Sequence, residues 1–142
     1  MKVILRLGTY LAFTILVSYF ITILSNYEYV LFEQSRMNFE RFPHLLYLSL
    51  YPILIGLLFA LPHLLREGKE TGSWKYDWVK SVAIGLPALF GTTVILLYFS
   101  PVGNSLPPFL TYVLVHAKEF TIISGIVFGY TVLTCLSKST DK

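Results

Sequence analysis

Apolar residues fill four long stretches of this chain, and none of them contains a formally charged residue. The stretches are Leu7–Tyr27, Phe42–Leu65, Ser81–Ala117 and Phe120–Ser137. A helix that crosses a hydrocarbon core of ~30 Å needs about 20 predominantly apolar residues. The pattern therefore predicts an all-α fold, an integral membrane bundle of four transmembrane helices in one domain covering residues 1–142. The expected helices cover about 3–24, 43–65, 79–99 and 109–136.

Turn-forming residues mark the connections between these helices. Pro43 suits the first turn of the second helix, where a missing N–H is tolerated. The segment Pro101–Pro108 is short and rich in turn residues, which predicts a tight loop and an antiparallel third and fourth helix. The first connection, Asn26–Arg41, mixes aromatic and charged side chains. That mixture is typical either of a segment lying in the outer membrane interface or of an extension of the first helix.

Lysine and arginine residues predict the orientation of the bundle in the membrane. With four spans, the N-terminal flank, the second connection and the C-terminal tail share one side and together carry 8 Lys and Arg residues. The other side carries 2, Arg36 and Arg41, and Lys118 falls within the fourth helix. Because cytoplasmic segments are enriched in Lys and Arg, both termini are expected in the cytoplasm.

The low charge content limits the classes of function. Only 13% of the residues are charged and the mean hydropathy is +0.66. A soluble domain carries about 25% charged residues, so a sizeable soluble domain is excluded. The net charge of +3 lies mainly in the connections, which favours contact with the lipid bilayer over binding of nucleic acid. Cys135 is the single cysteine, which excludes a Cys-x-x-Cys redox pair.

Small residues recur at every fourth position in two of the predicted helices. The stripes are Thr121, Gly125 and Gly129 in the fourth helix and Thr14, Ser18 and Thr22 in the first. Lipid tails are as apolar as leucine side chains, so membrane helices associate where small residues let their backbones approach. The stripes predict helix packing, either within the bundle or between two copies of the chain.

Two prolines, Pro52 and Pro87, fall in the middle of the second and third helices. Each removes a backbone donor and frees the carbonyl four residues earlier, at Leu48 and Ala83. Kinked helices line substrate paths in some transporters, but proline is common in transmembrane helices generally. Both are interpreted as structural kinks.

The candidate functional residues form a polar cluster near the outer ends of the second and fourth helices. Its members are Glu40, His44, His116, Lys118 and Glu119. Ionisable groups at membrane depth are costly and usually functional, whereas at the interface a lysine extends to the headgroups. Two histidines and two carboxylates would also suit Zn²⁺ or iron. Because Pro43 interrupts the helical face of Glu40 and His44, no metal or cofactor is predicted.

One segment carries a resemblance. It reads Gly72-Ser73-Trp74-Lys75-Tyr76-Asp77-Trp78-Val79-Lys80, with Gly85-x-Pro87 beyond. This segment resembles small uncharacterised four-helix membrane proteins of Gram-positive bacteria. The resemblance implies a location in the bacterial plasma membrane and implies no activity.

Motifs for known chemistry are lacking in the sequence. It contains no glycine-rich phosphate loop and no His-Glu-x-x-His, and the first three apolar stretches contain no acidic residue. We therefore expect a small multi-pass, non-enzymatic membrane protein that acts as an accessory or partner subunit. The alternatives are a small homo-oligomeric transporter or channel and, third, a membrane enzyme with an outward-facing site. The expected partners are the lipid bilayer and either another membrane protein or a second copy of the chain.

Overall fold

The computed structural model describes residues 1–139, with side chains throughout except at positions 111, 113–115, 117 and 139. In this range three helical segments, Lys2–Asn38, Phe42–Lys69 and Trp78–Tyr98, are long and apolar enough to cross a membrane. The prediction of a mostly helical membrane protein is confirmed by the helical content and by these three segments. Lys142, part of the charge counted in the C-terminal tail, lies outside the described residues.

The elements follow one another along the chain with short connections. In order they are α1 (Lys2–Asn38), α2 (Phe42–Lys69), β1 (Ser73–Tyr76), α3 (Trp78–Lys80), a π-helical turn (Ser81–Gly85), α4 (Leu86–Tyr98), a 3₁₀ turn (Pro101–Ser105), α5 (Pro108–Val115), α6 (Ala117–Thr134) and β2 (Leu136–Ser139).

The first connection is an extension of α1, which is one of the two arrangements expected from its composition. The hydroxyl of Tyr29 donates to Glu33 one turn later, at 3.0 Å. Arg36 lies in the last turn, where the helix dipole favours a positive charge. α1 ends at Asn38, and the next residue, Phe39, has φ of 57° and ψ of 12°, the left-handed conformation that commonly terminates helices.

The segment Trp78–Tyr98 changes helix type near Pro87. Asp77 caps its start by accepting a hydrogen bond from the backbone N–H of Lys80, at 3.0 Å. The π-helical turn follows, and Pro87 lies in the first turn of α4. A π-helical turn is one of the recognised causes of a bend inside a helix. The kink predicted at Pro87 therefore coincides with a change in hydrogen-bond pattern.

The predicted fourth helix is interrupted. Between α5 and α6, His116 has φ of −110° and ψ of 26°, and α6 ends at Thr134 rather than Leu136. The break puts Glu119 in the first turn of a new helix, where the dipole favours a negative charge. Of the helices described, neither α5 nor α6 meets the length and hydropathy of a span on its own.

A small sheet departs from the expected all-α fold. β1 and β2 pair in antiparallel fashion, with Ser73 opposite Ser139 and Tyr76 opposite Leu136. The backbone N–H of Asp77 also donates to the carbonyl of Cys135, at 2.9 Å. The sheet holds the second connection and the end of the described chain at the same end of the bundle.

The long helices alternate in direction from one to the next along the chain. Along α6, Gly125 approaches Pro52 and Gly129 approaches Leu57, so α2 and α6 run parallel. α4 runs antiparallel to α6, because Gly85 lies near Phe128 while the later Gly91 lies near the earlier Phe120.

α1 lies against the other side of α2. The hydroxyl of Tyr47 donates to the carbonyl of Leu24 at 3.0 Å, and His44 meets Glu28, so the two helices run antiparallel. The apolar core is formed by α2 and α4, and residues of α1 and α6 pack against it. Its buried members are Leu45, Leu48, Tyr51, Ile55 and Ile95.

Candidate functional site

Glu28 is the centre of a polar contact between α1, α2 and α6. Its Oε1 lies 2.7 Å from Nε2 of His44 and 3.5 Å from Nζ of Lys118. The Glu28 and His44 side chains are each 12% exposed, whereas that of Lys118 is 58% exposed. A carboxylate removed from water requires donors or cations to offset its lost hydration. His44 and Lys118 supply them, so the contact links three helices that are distant in sequence.

Glu28 is not among the functional residues predicted from the sequence. It lies one turn after Leu24 and one turn before Phe32 on the face of α1 that packs against α2. Leu24 packs against the core, and the Phe32 ring lies 5.2 Å from that of His44. The signal that could have identified Glu28 is its position, four residues from an apolar residue on either side along one helical face. That signal becomes visible only if the first helix is continued past Leu24.

The structure brings together two members of the predicted polar cluster. His44 and Lys118 meet through Glu28. Glu40 is exposed and lines a separate groove of about 160 Å³ together with Asn38 and Pro43. His116 and Glu119 are also exposed, and His116 precedes α6 while Glu119 lies in its first turn. Within residues 1–139, no group of three or more His, Cys, Asp or Glu side chains is placed to hold a metal ion.

A cavity of about 630 Å³ opens beside the Glu28 contact, and we call it the basic cavity. Its polar lining side chains are Ser35, Arg36, Arg41, His44 and Lys118. Its apolar lining side chains are Phe32, Phe39, Leu45, Leu48, Ile95 and Phe99. Cavities of ~300–1,000 Å³ with apolar walls and a few polar groups are typical of small-molecule sites. The basic cavity has the size and lining of a ligand site.

The small residues of α6 pack against α2. A methyl group on Gly125 would lie 2.6 Å from Cβ of Pro52, and one on Gly129 would overlap the carbonyl oxygen of Ile53. Thr121 continues this line and is fully buried, and its hydroxyl has no hydrogen-bond partner among the described residues. The stripe therefore makes a contact inside one chain.

The corresponding stripe of α1 makes no such contact. Thr14, Ser18 and Thr22 are exposed. The hydroxyls of Thr14 and Thr22 each donate to the carbonyl four residues earlier, at 2.9 Å. Because these hydroxyls are satisfied within α1, they do not require a polar partner.

Two prolines lie inside α2, and Pro52 is at the contact with α6. Pro52 is fully buried, and Pro62 also lies inside α2.

Nε2 of His63, the residue after Pro62, is buried without a hydrogen-bond partner within the described chain. It borders a cavity of about 340 Å³ near the sheet, lined also by Arg66, Glu67, Glu70 and Lys138. The backbone N–H of Lys138 donates to Glu67 at 3.0 Å, so these residues fasten β2 to α2.

Comparisons with protein-family models, with curated proteins and with solved structures find no match for this chain. Its function has to be inferred from its own residues and their arrangement.

Proposed function

We propose that the chain is a non-enzymatic accessory subunit of the bacterial plasma membrane that holds another membrane protein along α1. The observation that carries this proposal is the exposure of α1. Only 6% of its most apolar 18-residue stretch is buried, against 44% for α2 and 33% for Trp78–Tyr98. α1 thus offers a long apolar surface that the rest of the described chain does not cover.

The N-terminal part of α1 has a shape that suits a second helix. Leu5, Gly8, Thr9 and Ala12 line an open groove of about 580 Å³, and no atom lies within 4 Å of where a side chain on Gly8 would begin. Glycine and alanine four residues apart let two helix backbones approach closely in lipid. The groove therefore favours a transmembrane helix as its occupant.

Charge favours a different protein over a second copy. The groove begins beside Lys2 and Arg6, and α1 contains no acidic residue before Glu28. Two copies packed in parallel through this groove would bring their cations together, and like charges in contact are destabilising. A partner helix flanked by acidic residues would instead be attracted.

The proposed topology has four spans and both termini in the cytoplasm. The parallel run of α2 and α6, with α4 antiparallel to both, supports alternating spans. The pairing of β1 with β2 supports a shared side for the second connection and the C-terminal segment. The bias of 8 to 2 in Lys and Arg supports the cytoplasm as that side.

The proposal can be tested by photo-crosslinking in cells. A photoreactive amino acid at Ala12 would lie in the groove, and one at Tyr10 would lie about 160° away around the helix. We expect one discrete adduct with a membrane protein from Ala12, absent from Tyr10 and lost when Gly8→Leu fills the groove. The captured protein should carry acidic residues beside a transmembrane helix. An adduct of twice the chain's own mass would favour the homo-oligomeric alternative, and adducts with lipid alone would contradict a docking role for α1.

A further inference from the structure

The basic cavity is unusual in its balance of charge. Arg36, Arg41 and Lys118 are basic, and His44 lies beside them. Within the part of the chain that the structure describes, the carboxylate that contacts this group is that of Glu28, and it already accepts from His44 and Lys118. Among the described residues, no carboxylate pairs with Arg36 or Arg41. The cavity therefore presents an excess of positive charge with unused donors.

Those donors suit an anion with several oxygens. A guanidinium offers five N–H donors in a fixed planar fork, which matches phosphate and carboxylate, and an ammonium offers three. Arg36 is held above the ring of Phe32, at 5.9 Å from its centroid, which restricts where its guanidinium can lie. Lys118 uses one long contact to Glu28, at 3.5 Å, and has further donors free.

The apolar wall indicates that the anion carries a hydrocarbon chain. Phe32, Phe39 and Phe99 line the cavity and are 41%, 91% and 52% exposed. A small soluble anion would leave these aromatic side chains facing water, at a cost of ~25 cal/mol for each Å² of apolar surface. A lipid whose headgroup meets the arginines would place its first methylenes against them.

The position of the cavity in the bundle agrees with a lipid ligand. It lies between the C-terminal part of α1 and the start of α2, at the opposite end of α2 from Arg66 and the sheet. Long cationic side chains at the end of a membrane helix reach the headgroup layer. We infer that the basic cavity is a binding site for the phosphate headgroup of one anionic phospholipid, held by Arg36, Arg41 and Lys118.

Photo-crosslinking with lipids of defined headgroup tests this inference. The purified chain would be reconstituted in phosphatidylcholine vesicles that contain either phosphatidylglycerol or phosphatidylcholine with a photoreactive acyl chain. We expect phosphatidylglycerol adducts on the peptides that contain Leu48 and Ile95, and roughly tenfold less labelling there from phosphatidylcholine. Equal labelling by both lipids would overturn the inference, because the cavity would then not distinguish an anionic headgroup from a zwitterionic one.

A matched pair of variants separates the cavity from general attraction to anionic lipid. Arg36→Gln should reduce labelling of the cavity peptides by roughly tenfold, since a charge-assisted hydrogen bond is lost. Arg6→Gln removes the same charge from the other end of α1 and should leave that labelling unchanged. If Arg36→Gln fails to fold, as judged by its unfolding midpoint, Arg41→Gln replaces it. Equal effects of the cavity variant and Arg6→Gln would contradict a built site.

Free glycerol 1-phosphate distinguishes a lipid from a soluble anion. It carries a phosphate group and lacks the acyl chains, so millimolar concentrations present during irradiation should leave the labelling by phosphatidylglycerol unchanged. Complete loss of that labelling would show that the cavity recognises a soluble phosphate and would overturn the assignment to a lipid.

Discussion

The close contact between α2 and α6 gives a sharp prediction for Gly129→Ala. A Cβ at this position would overlap the carbonyl oxygen of Ile53 and lie 3.0 Å from the backbone nitrogen of Leu57. Both atoms belong to the backbone of α2, so neither can rotate away as a side chain would. The two helices would have to separate, and overpacking costs about 1–3 kcal/mol. The cost of overpacking should lie at the upper end of this range, because the atoms in the way belong to the backbone.

A second effect of the same substitution has the opposite sign. Alanine is better than glycine inside a helix by about 0.5–1 kcal/mol. The expected net loss in the free energy of unfolding is therefore about 2 kcal/mol, or roughly 30-fold in the folding equilibrium. Gly68→Ala in α2 isolates the helix effect, because no atom lies within 4 Å of its Cβ position.

The two variants can be compared by titrating the purified chain in mild detergent with sodium dodecyl sulfate and following helix content by circular dichroism. Gly129→Ala should unfold at a lower midpoint than the wild type, and Gly68→Ala at the same or a higher one. If Gly129→Ala were as stable as Gly68→Ala, α6 would not pack against α2 through Gly129, and the parallel arrangement of these helices would be refuted.

Three further predictions concern the topology, the end of α1 and the buried contact. Cysteines introduced by Ser73→Cys and Asn104→Cys should lie on opposite sides of the membrane. An impermeant maleimide added to intact cells should therefore label the cysteine at position 104 and not the one at position 73. Labelling at position 73 would contradict the orientation. Phe39→Gly should raise the free energy of unfolding by about 1 kcal/mol, because a left-handed conformation is costly for residues with a Cβ. Phe39→Ala keeps a Cβ and should bring no such gain. Glu28→Leu should lower stability by about 1–3 kcal/mol, since His44 loses its buried partner, and Glu28→Gln should lose less; equal losses in both would argue against the hydrogen bond.

The helical membrane class was predictable from the sequence because the bilayer imposes it. Every backbone polar group in lipid must be satisfied inside the protein, so an apolar stretch of sufficient length forms a helix. The start of α2 at Phe42 and Pro43 also followed from local chemistry, since proline fits the first turn of a helix. The accessory role, the cytoplasmic termini and the fourth span stay predictions.

Other features could not be derived from local patterns. The pairing of β1 with β2 joins residues about 60 positions apart in sequence, and nothing in the short segment Leu136–Ser139 distinguishes a strand from a frayed helix end. The interruption at His116 could not be decided either, because Phe109–Val115 is apolar enough both to begin the fourth helix and to lie in the outer interface before it.

The sequence by itself determined which solvent this protein meets, through hydropathy, and where α2 begins. Only the tertiary structure decided which polar residues act together. Glu28, His44 and Lys118 lie on three helices, and a carboxylate reveals its role only when packing removes it from water and brings its partners to 2.7 and 3.5 Å. Arg36 and Arg41 look like ordinary interfacial cations in the sequence, and they become a candidate headgroup site because the fold places the exposed rings of Phe32 and Phe99 in the same cavity. Hydropathy depends on short-range composition, whereas a binding site depends on contacts between distant residues, and only folding brings those together.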